Sequence, residues 1–169
     1  MVTTAIQLQQ TQTITDTIIV EEALSWIKTP YEFGQLLKGV GCDCCTYLIG
    51  VFVGLGLIKQ EDVDRELQAL GVYSGDWFRH TTNEHYLRIL MKFATNIMET
   101  RCYPSTIAQP GSIVLTKAYG LSKRWNHGGI VTKWPKLIHA VSPYVCETDA
   151  SRDPMWMFQE IGIYRIQGT

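Results

Sequence analysis

The chain lacks several features that would place it in a special class of protein. Charged residues make up 18% of its 169 residues and the formal net charge is -1, so no global basic field points to nucleic acid. No window approaches the roughly 18 consecutive apolar residues that a membrane span needs. The first twenty residues contain no Lys or Arg and no sustained apolar run, unlike a secretory signal. The sequence therefore predicts a globular protein, made in the cytoplasm, without membrane insertion or nucleic-acid binding.

The chain also lacks the even, regularly spaced cysteines of a disulfide scaffold. It has five cysteines, and three of them, Cys42, Cys44 and Cys45, fall within four positions. Secreted scaffolds use even numbers of cysteines along short chains. We therefore expect a reduced chain with at least one thiol that serves chemistry. Packing as a small hydrophobe is the simpler role for Cys45, while Cys42 either packs in a loop or acts as a redox partner.

No internal repeat and no low-complexity linker divides the chain. We expect a polar N-terminal arm over residues 1–16, rich in Thr and Gln, and a single domain over residues 17–169. The predicted helices are residues 17–28, a helix that begins at Cys44, residues 60–70 and residues 83–101. After Pro110-Gly111, the β-branched runs SIVLT, GGIVT, KLIHAV and IGIYRI predict strands. This segregation predicts an α+β fold, with N-terminal helices packed on a C-terminal antiparallel sheet.

Cys44 has the position of an activated nucleophile. Gly39 and Gly41 predict a turn, Asp43 is a suitable helix cap, and apolar residues follow Cys44 at helical spacing. A thiol with its ordinary pKa of about 8.5 is mostly protonated at neutral pH. A helix N-terminus and a nearby histidine both lower that pKa, because both stabilise the thiolate.

Two of the four histidines flank a predicted hairpin whose tip is Trp134-Pro135. If the register sum of the two strands is even, near 268, His127 and His139 lie on one face and diagonal to each other. A slip of one residue would send them to opposite faces. On one face they could form a relay, in which His127 takes the proton of Cys44 and His139 orients His127. The alternative is two half-buried histidines satisfied by backbone groups. For His80 and His85 we expect surface or capping roles.

Several motifs together resemble the NlpC family of papain-like cell-wall peptidases. The stretch TPYEFGQLLKGVGCDCC resembles the N-terminal signature of the branch found in phage tails and gene-transfer agents. The motifs HGGI, LIHA and QPGSIVL resemble the strands that carry the family's histidine, its third polar residue and its proline-glycine entry. The resemblance covers residues 17–166. The catalytic residues that it implies are Cys44, His127 and His139. It assigns Tyr31 and Asp43 to the part of the site that binds the substrate and the oxyanion.

The resemblance implies a papain-like fold and a cysteine endopeptidase of peptidoglycan. Its substrate would be the stem peptide, cut between D-glutamate and the diamino acid, with no metal and no cofactor. The Cys44 thiolate would attack the carbonyl, backbone N–H groups near Cys44 would hold the oxyanion, and His127 would protonate the leaving amine. The same branch implies a place in the virion tail, with other tail-tip proteins as partners and local opening of the cell wall as the role.

Three alternatives remain open at this stage. A structural protein could bind zinc through the cysteines at 42, 44 and 45 and the two histidines, although no second cysteine knuckle is present. A tail-assembly protein could keep the peptidase fold without activity. An amidase or acyltransferase could use the same residues with a different pocket. Departures from the family pattern at Cys45-Thr46, Ser112 and Gly128 leave the fit of the substrate open.

Overall fold

The structure is a computed structural model, and it describes residues 14–68, 84–92, 94–100, 108–118, 123–157 and 159–167. Residues 1–13 of the predicted arm, His80 and Cys102 lie outside the described residues. The described helices are α1 (Asp16–Leu24), α2 (Cys44–Gly54), α3 (Gln60–Gln68), α4 (His85–Leu90) and α5 (Pro154–Met157). None of the helices in this part of the chain is long and apolar enough to cross a membrane.

The central feature is a six-stranded antiparallel sheet. Its strands are β3 (Ala94–Thr100), β4 (Ile113–Thr116), β5 (His127–Lys133), β6 (Lys136–Val141), β7 (Tyr144–Asp149) and β8 (Ile161–Ile166). They lie in the order β3-β8-β4-β5-β6-β7, and a separate two-stranded sheet joins β1 (Leu36–Leu37) to β2 (Gly41–Cys42). The predicted α+β architecture, with N-terminal helices on a C-terminal antiparallel sheet, is confirmed.

The predicted helix over residues 83–101 is wrong in its second half. Among the described residues of this segment, only His85–Leu90 is helical, and Ala94–Thr100 forms β3, which pairs with β8 at the edge of the sheet. The apolar spacing in this segment suggested a helix, but pairing with a distant strand overrides a local pattern of this kind. Strand β7 was also not predicted. Helix α1 ends at Leu24 and is therefore shorter than the predicted helix over residues 17–28, and its N-cap is Thr15.

The two faces of the sheet carry separate apolar clusters. On one face, α1 and α2 pack against Ile130 and Ile138 in the larger cluster. On the other face, Val131 and Leu137 pack with Trp156 of α5. This alternation follows the two-residue period of a strand. His139 lies two positions from Leu137 along β6, and His127 lies four positions from Val131 along β5, so both side chains belong to the side that carries Trp156.

Candidate active site

Local hydrogen bonds determine where α2 begins. The backbone of Asp43 is extended, and its Oδ1 accepts the backbone N–H groups of Cys45 at 2.9 Å and Thr46 at 3.0 Å. The Thr46 hydroxyl accepts the Asp43 N–H at 2.8 Å, which completes a capping box. Cys44 is therefore the first residue of the helix, as predicted. There the positive end of the helix dipole favours a thiolate.

Asp43 also connects this helix start to the segment that carries Tyr31. Its Oδ2 accepts the Gly34 N–H at 2.7 Å, and Asp43 is fully buried. The Tyr31 backbone bridges to Cys42, and its N–H donates to the Pro143 carbonyl at 2.8 Å. Tyr31 packs, half-buried, against the same cluster as Cys44. Asp43 is thus a positioning group for both segments, and direct contact of Asp43 or Tyr31 with a substrate stays a prediction.

The three neighbouring thiols differ in their surroundings. Cys42 and Cys45 are buried, at 0% and 3% exposure, whereas Cys44 is partly exposed. Burial, followed by the charge of Asp43, raises the pKa of Cys42 to about 12, so this thiol stays protonated. The Cys44 thiol donates to the carbonyl of Asn126 at 3.6 Å. Asn126 directly precedes His127, so the structure brings Cys44 to the start of β5.

His127 and His139 form a direct pair. In the pairing of β5 with β6, Gly129 lies opposite His139 and Ile130 opposite Ile138. The register sum is therefore 268, the even value on which the shared face of the two histidines depended. Nε2 of His127 lies 2.7 Å from Nδ1 of His139. This bond leaves Nδ1 as the other nitrogen of His127 that could take a proton from a thiol.

Burial keeps both histidines neutral. It lowers the pKa of His127 well below its ordinary value, with a smaller contribution from His139 in the same direction. Burial also lowers the pKa of His139, to about 4, against an opposing effect of the Asp153 carboxylate. Each imidazole therefore carries one proton at neutral pH. The tautomer of each ring then decides what the pair can do.

Sequence reasoning missed Gly129 as part of this pair. A Cβ at Gly129 would lie 2.7 Å from Leu137 Cδ1, 2.8 Å from the Ile138 carbonyl oxygen and 3.3 Å from His139 Cβ. Glycine is therefore required for the close approach of β6 at this point. The signal was available, because the residue two positions after His127 lies on the same face of the strand.

Trp156 contacts the histidine pair, and the sequence did not predict this contact. Its ring centroid lies 5.3 Å from that of His127 and 5.6 Å from that of His139, and Trp156 is 1% exposed. No sequence pattern indicated this contact, because α5 is a single turn far along the chain from β5. Trp156 covers the pair and shields its hydrogen bond from water.

The zinc alternative needs the cysteines of residues 42–45 and the two histidines to converge. Among the described residues, no three His, Cys, Asp or Glu side chains are placed to share a metal ion. The Cys44 thiol bonds to a backbone carbonyl, and the two imidazoles bond to each other.

Comparisons with known proteins agree on the fold. No family model and no curated protein matches the chain. The crystal structure of the NlpC/p60 domain of the peptidoglycan hydrolase SagA is 19% identical, with a TM-score of 0.52, over 89% of this chain and 98% of that chain. Two crystal structures of an N-acetylmuramoyl-L-alanine amidase from Bacteroides uniformis are 13% and 12% identical, with TM-scores of 0.59 and 0.60. They cover 89% and 90% of this chain, and 98% of their own chains.

These likenesses define the class of fold. The chain has the papain-like α+β fold of NlpC/p60 domains, in which a few helices pack on an antiparallel sheet of six strands. At these low sequence identities, structural likeness establishes the fold, and the activity has to be argued from the site.

Proposed function

We propose that this chain is a cysteine hydrolase of peptidoglycan, with Cys44 as nucleophile, His127 as base and His139 as the residue that orients His127. One observation carries the proposal. The partly exposed Cys44 thiol, at the start of α2, contacts the carbonyl of Asn126, which is the residue before His127. The ring of His127 is in turn hydrogen-bonded to His139 at 2.7 Å. Cys44 thus lies at the edge of the sheet where β5 begins, next to the residue that precedes the candidate base, and His139 is bonded to that base.

The proton path follows from this geometry. Nδ1 of His127 takes the thiol proton as Cys44 attacks the amide carbonyl, and the imidazolium is stabilised by Nδ1 of His139 accepting its Nε2–H. The same proton then passes to the leaving amine, and a thioester remains on Cys44. Water, activated by His127, hydrolyses the thioester and restores the thiol. The backbone N–H of Cys44 is the candidate oxyanion donor, because the first amides of a helix lack intrahelical partners.

For the substrate we propose the stem peptide of peptidoglycan, cut between D-glutamate and the diamino acid. The resemblance of residues 17–166 to the NlpC family supports this choice, and one similar structure is named as a peptidoglycan hydrolase. Tyr31 would line the donor side of the site next to the segment that Asp43 positions. We further propose that the chain works in a virion tail, next to other tail-tip proteins, and opens the cell wall locally.

An amidase is the second candidate function. The two solved structures with the higher TM-scores are named N-acetylmuramoyl-L-alanine amidase. The same thiol and histidines would then cut between the lactyl group of muramic acid and L-alanine. The two activities leave different products, so one assay on intact muropeptides separates them.

The decisive experiment is mass spectrometry of muropeptides and free stem peptides incubated with the wild-type chain, Cys44→Ala and Cys45→Ala. Cys45→Ala is a matched control, because it removes the adjacent, buried thiol from the same helix. We expect cleavage by wild type and Cys45→Ala and none by Cys44→Ala, and the product masses identify the bond. Folded wild type that leaves every substrate intact would favour the assembly protein without activity.

A further inference from the structure

The proposed relay imposes a condition on His139 that the three catalytic residues do not meet by themselves. For His127 to accept the thiol proton at Nδ1, its own proton must lie on Nε2, which faces Nδ1 of His139 at 2.7 Å. Nδ1 of His139 must then be the acceptor, so the proton of His139 must lie on its Nε2. The opposite tautomer would protonate Nδ1 of His127 and block the base.

The nitrogen of His139 that must carry the proton, Nε2, is buried. Nε2 of His139 has no hydrogen-bond partner among the described residues, and His139 is 1% exposed. Nε1 of Trp156, whose ring lies beside His139, is also buried without an acceptor in this part of the structure. Buried N–H groups without an acceptor are costly, and a negative charge close to them lowers that cost.

Asp153 places a carboxylate on this side of the sheet. Its Oδ1 accepts the Met155 N–H at 2.9 Å and its carbonyl accepts the Trp156 N–H at 2.9 Å, so Asp153 begins the turn that carries Trp156. Its Oδ2 accepts the Thr148 hydroxyl at 3.4 Å. Thr148 lies two positions after Cys146, which is directly opposite His139. Thr148 therefore shares the face of the sheet that carries His139.

Among the described residues, titratable groups near His139 come from β5, β7 and the start of α5. His127 contributes a neutral imidazole from β5, and Cys146 contributes a thiol from β7 whose pKa is raised by burial and then by Asp153. Asp153, from the start of α5, supplies the negative charge. Its effect on the pKa of His139 is upward, against that of burial. The hydrogen bond of Asp153 to Thr148, two positions from Cys146, places the carboxylate on the β7 side of His139, away from His127.

We propose that Asp153 is a positioning residue of the relay, whose charge holds the proton of His139 on Nε2 and so leaves Nδ1 to accept from His127. This assignment rests on the proposed function for its catalytic consequence, but the tautomer itself is a property of the resting protein. A carboxylate plays the comparable part in hydrolases where it bonds the base directly, because it selects one tautomer. Here the carboxylate of Asp153 acts on His139, which in turn bonds the base His127.

The test uses the full chain with Asp153→Asn and Asp153→Ser, and Asp149→Asn as the matched control. Asn and Ser are good helix N-caps, so both variants keep the start of α5 while removing the carboxylate charge. Ser also has the shorter side chain, so its acceptor oxygen lies closer to the backbone. Asp149 lies on the same turn and bonds to Ser151. Nitrogen NMR of ¹⁵N-histidine-labelled protein at pH 7 reports which ring nitrogen of His139 is protonated, and His139→Gln assigns the signal.

We expect Nε2–H for His139 in wild type and Asp149→Asn, and a gain of Nδ1–H in both Asp153 variants. On a cleaved substrate, kcat should fall on the order of tenfold to a hundredfold with little change in KM, less than when an orienting carboxylate touches the base. An unchanged tautomer in both Asp153 variants would overturn the assignment, whatever the activity. Wild type that cleaves nothing but shows the expected tautomers would contradict the proposed function and leave the positioning role intact.

Discussion

The two halves of the candidate site are built in different ways. In the nucleophile half, Asp43 binds the amides of the next turn and of Gly34, all within a short stretch of chain. In the histidine half, two imidazoles meet across strands, a glycine makes room for them, and Trp156 covers them from a separate helix. The first half is specified by neighbours in sequence, while the second depends on register and on packing from far along the chain.

Within the histidine half, the two imidazoles should differ in their catalytic effect. We expect His127→Gln to lower kcat/KM on the order of 10³-fold, because glutamine cannot take the thiol proton. His139→Gln should lose less, since an amide oxygen can still accept from Nε2–H of His127. Rates on a muropeptide, with circular dichroism as the folding control, decide the order. Equal losses for the two variants would mean that His139 takes part in proton transfer directly.

The nucleophile half should carry the larger local effect on stability. Asp43→Ala leaves three backbone N–H groups without their acceptor, and we expect a loss of about 2–4 kcal/mol in the free energy of unfolding. Thr15→Ala is the comparison, because Thr15 caps α1 from an exposed position with one bond of 3.4 Å. That variant should lose about 0.5–1 kcal/mol. Urea unfolding measures both, and similar losses would show that the Asp43 contacts are not exceptional.

Acid should weaken the histidine half specifically. The pKa of His127 and His139 is lowered in the folded chain, so the unfolded chain binds more protons between about pH 4 and pH 6.5. Stability is therefore full above pH 6.5 and falls as the pH is lowered, by up to about 1.4 kcal/mol per pH unit for each group. Urea unfolding between pH 6.5 and 5 should show a smaller slope for His139→Gln than for wild type. Parallel slopes would contradict the buried, neutral pair.

Gly129→Ala tests how closely β5 and β6 must approach. The new Cβ would lie 2.7 Å from Leu137 Cδ1 and 2.8 Å from the Ile138 carbonyl oxygen, and the second atom belongs to backbone that cannot turn away. We expect a loss of about 1–3 kcal/mol in the free energy of unfolding, as in other overpacked sites. Activity should fall further than stability does, because the strand shift also moves His139. Full activity in the folded variant would show that the His127–His139 distance is not critical.

Much of the nucleophile half could be predicted from the sequence. Asp43 as a cap and Cys44 as the first helical residue follow from residue types one position apart, since capping depends on the nearest turn of chain.

The shared side of His127 and His139 followed from the two-residue period of a strand only under the condition of an even register sum. The register shift between Val131 and Lys133, which the sequence did not indicate, sets that sum at 268. The roles of the two histidines in catalysis stay predictions of the resemblance and the geometry.

The remaining features depend on distant parts of the chain. The segment Ala94–Thr100 has helical spacing, yet it is a strand because β8 offers an edge to pair with. The contact of the Cys44 thiol with Asn126 joins residues 82 positions apart, and no local pattern encodes such a contact.

By itself, the sequence determined the cap, the helix start and most of the central strands, because each depends on alternation or on the nearest turn. Only the tertiary structure decided that β3 is a strand, that Trp156 covers the imidazoles and that Asp153 lies on their side of the sheet. These features arise from pairing and burial between distant segments, whose free energy exists only once the chain has folded.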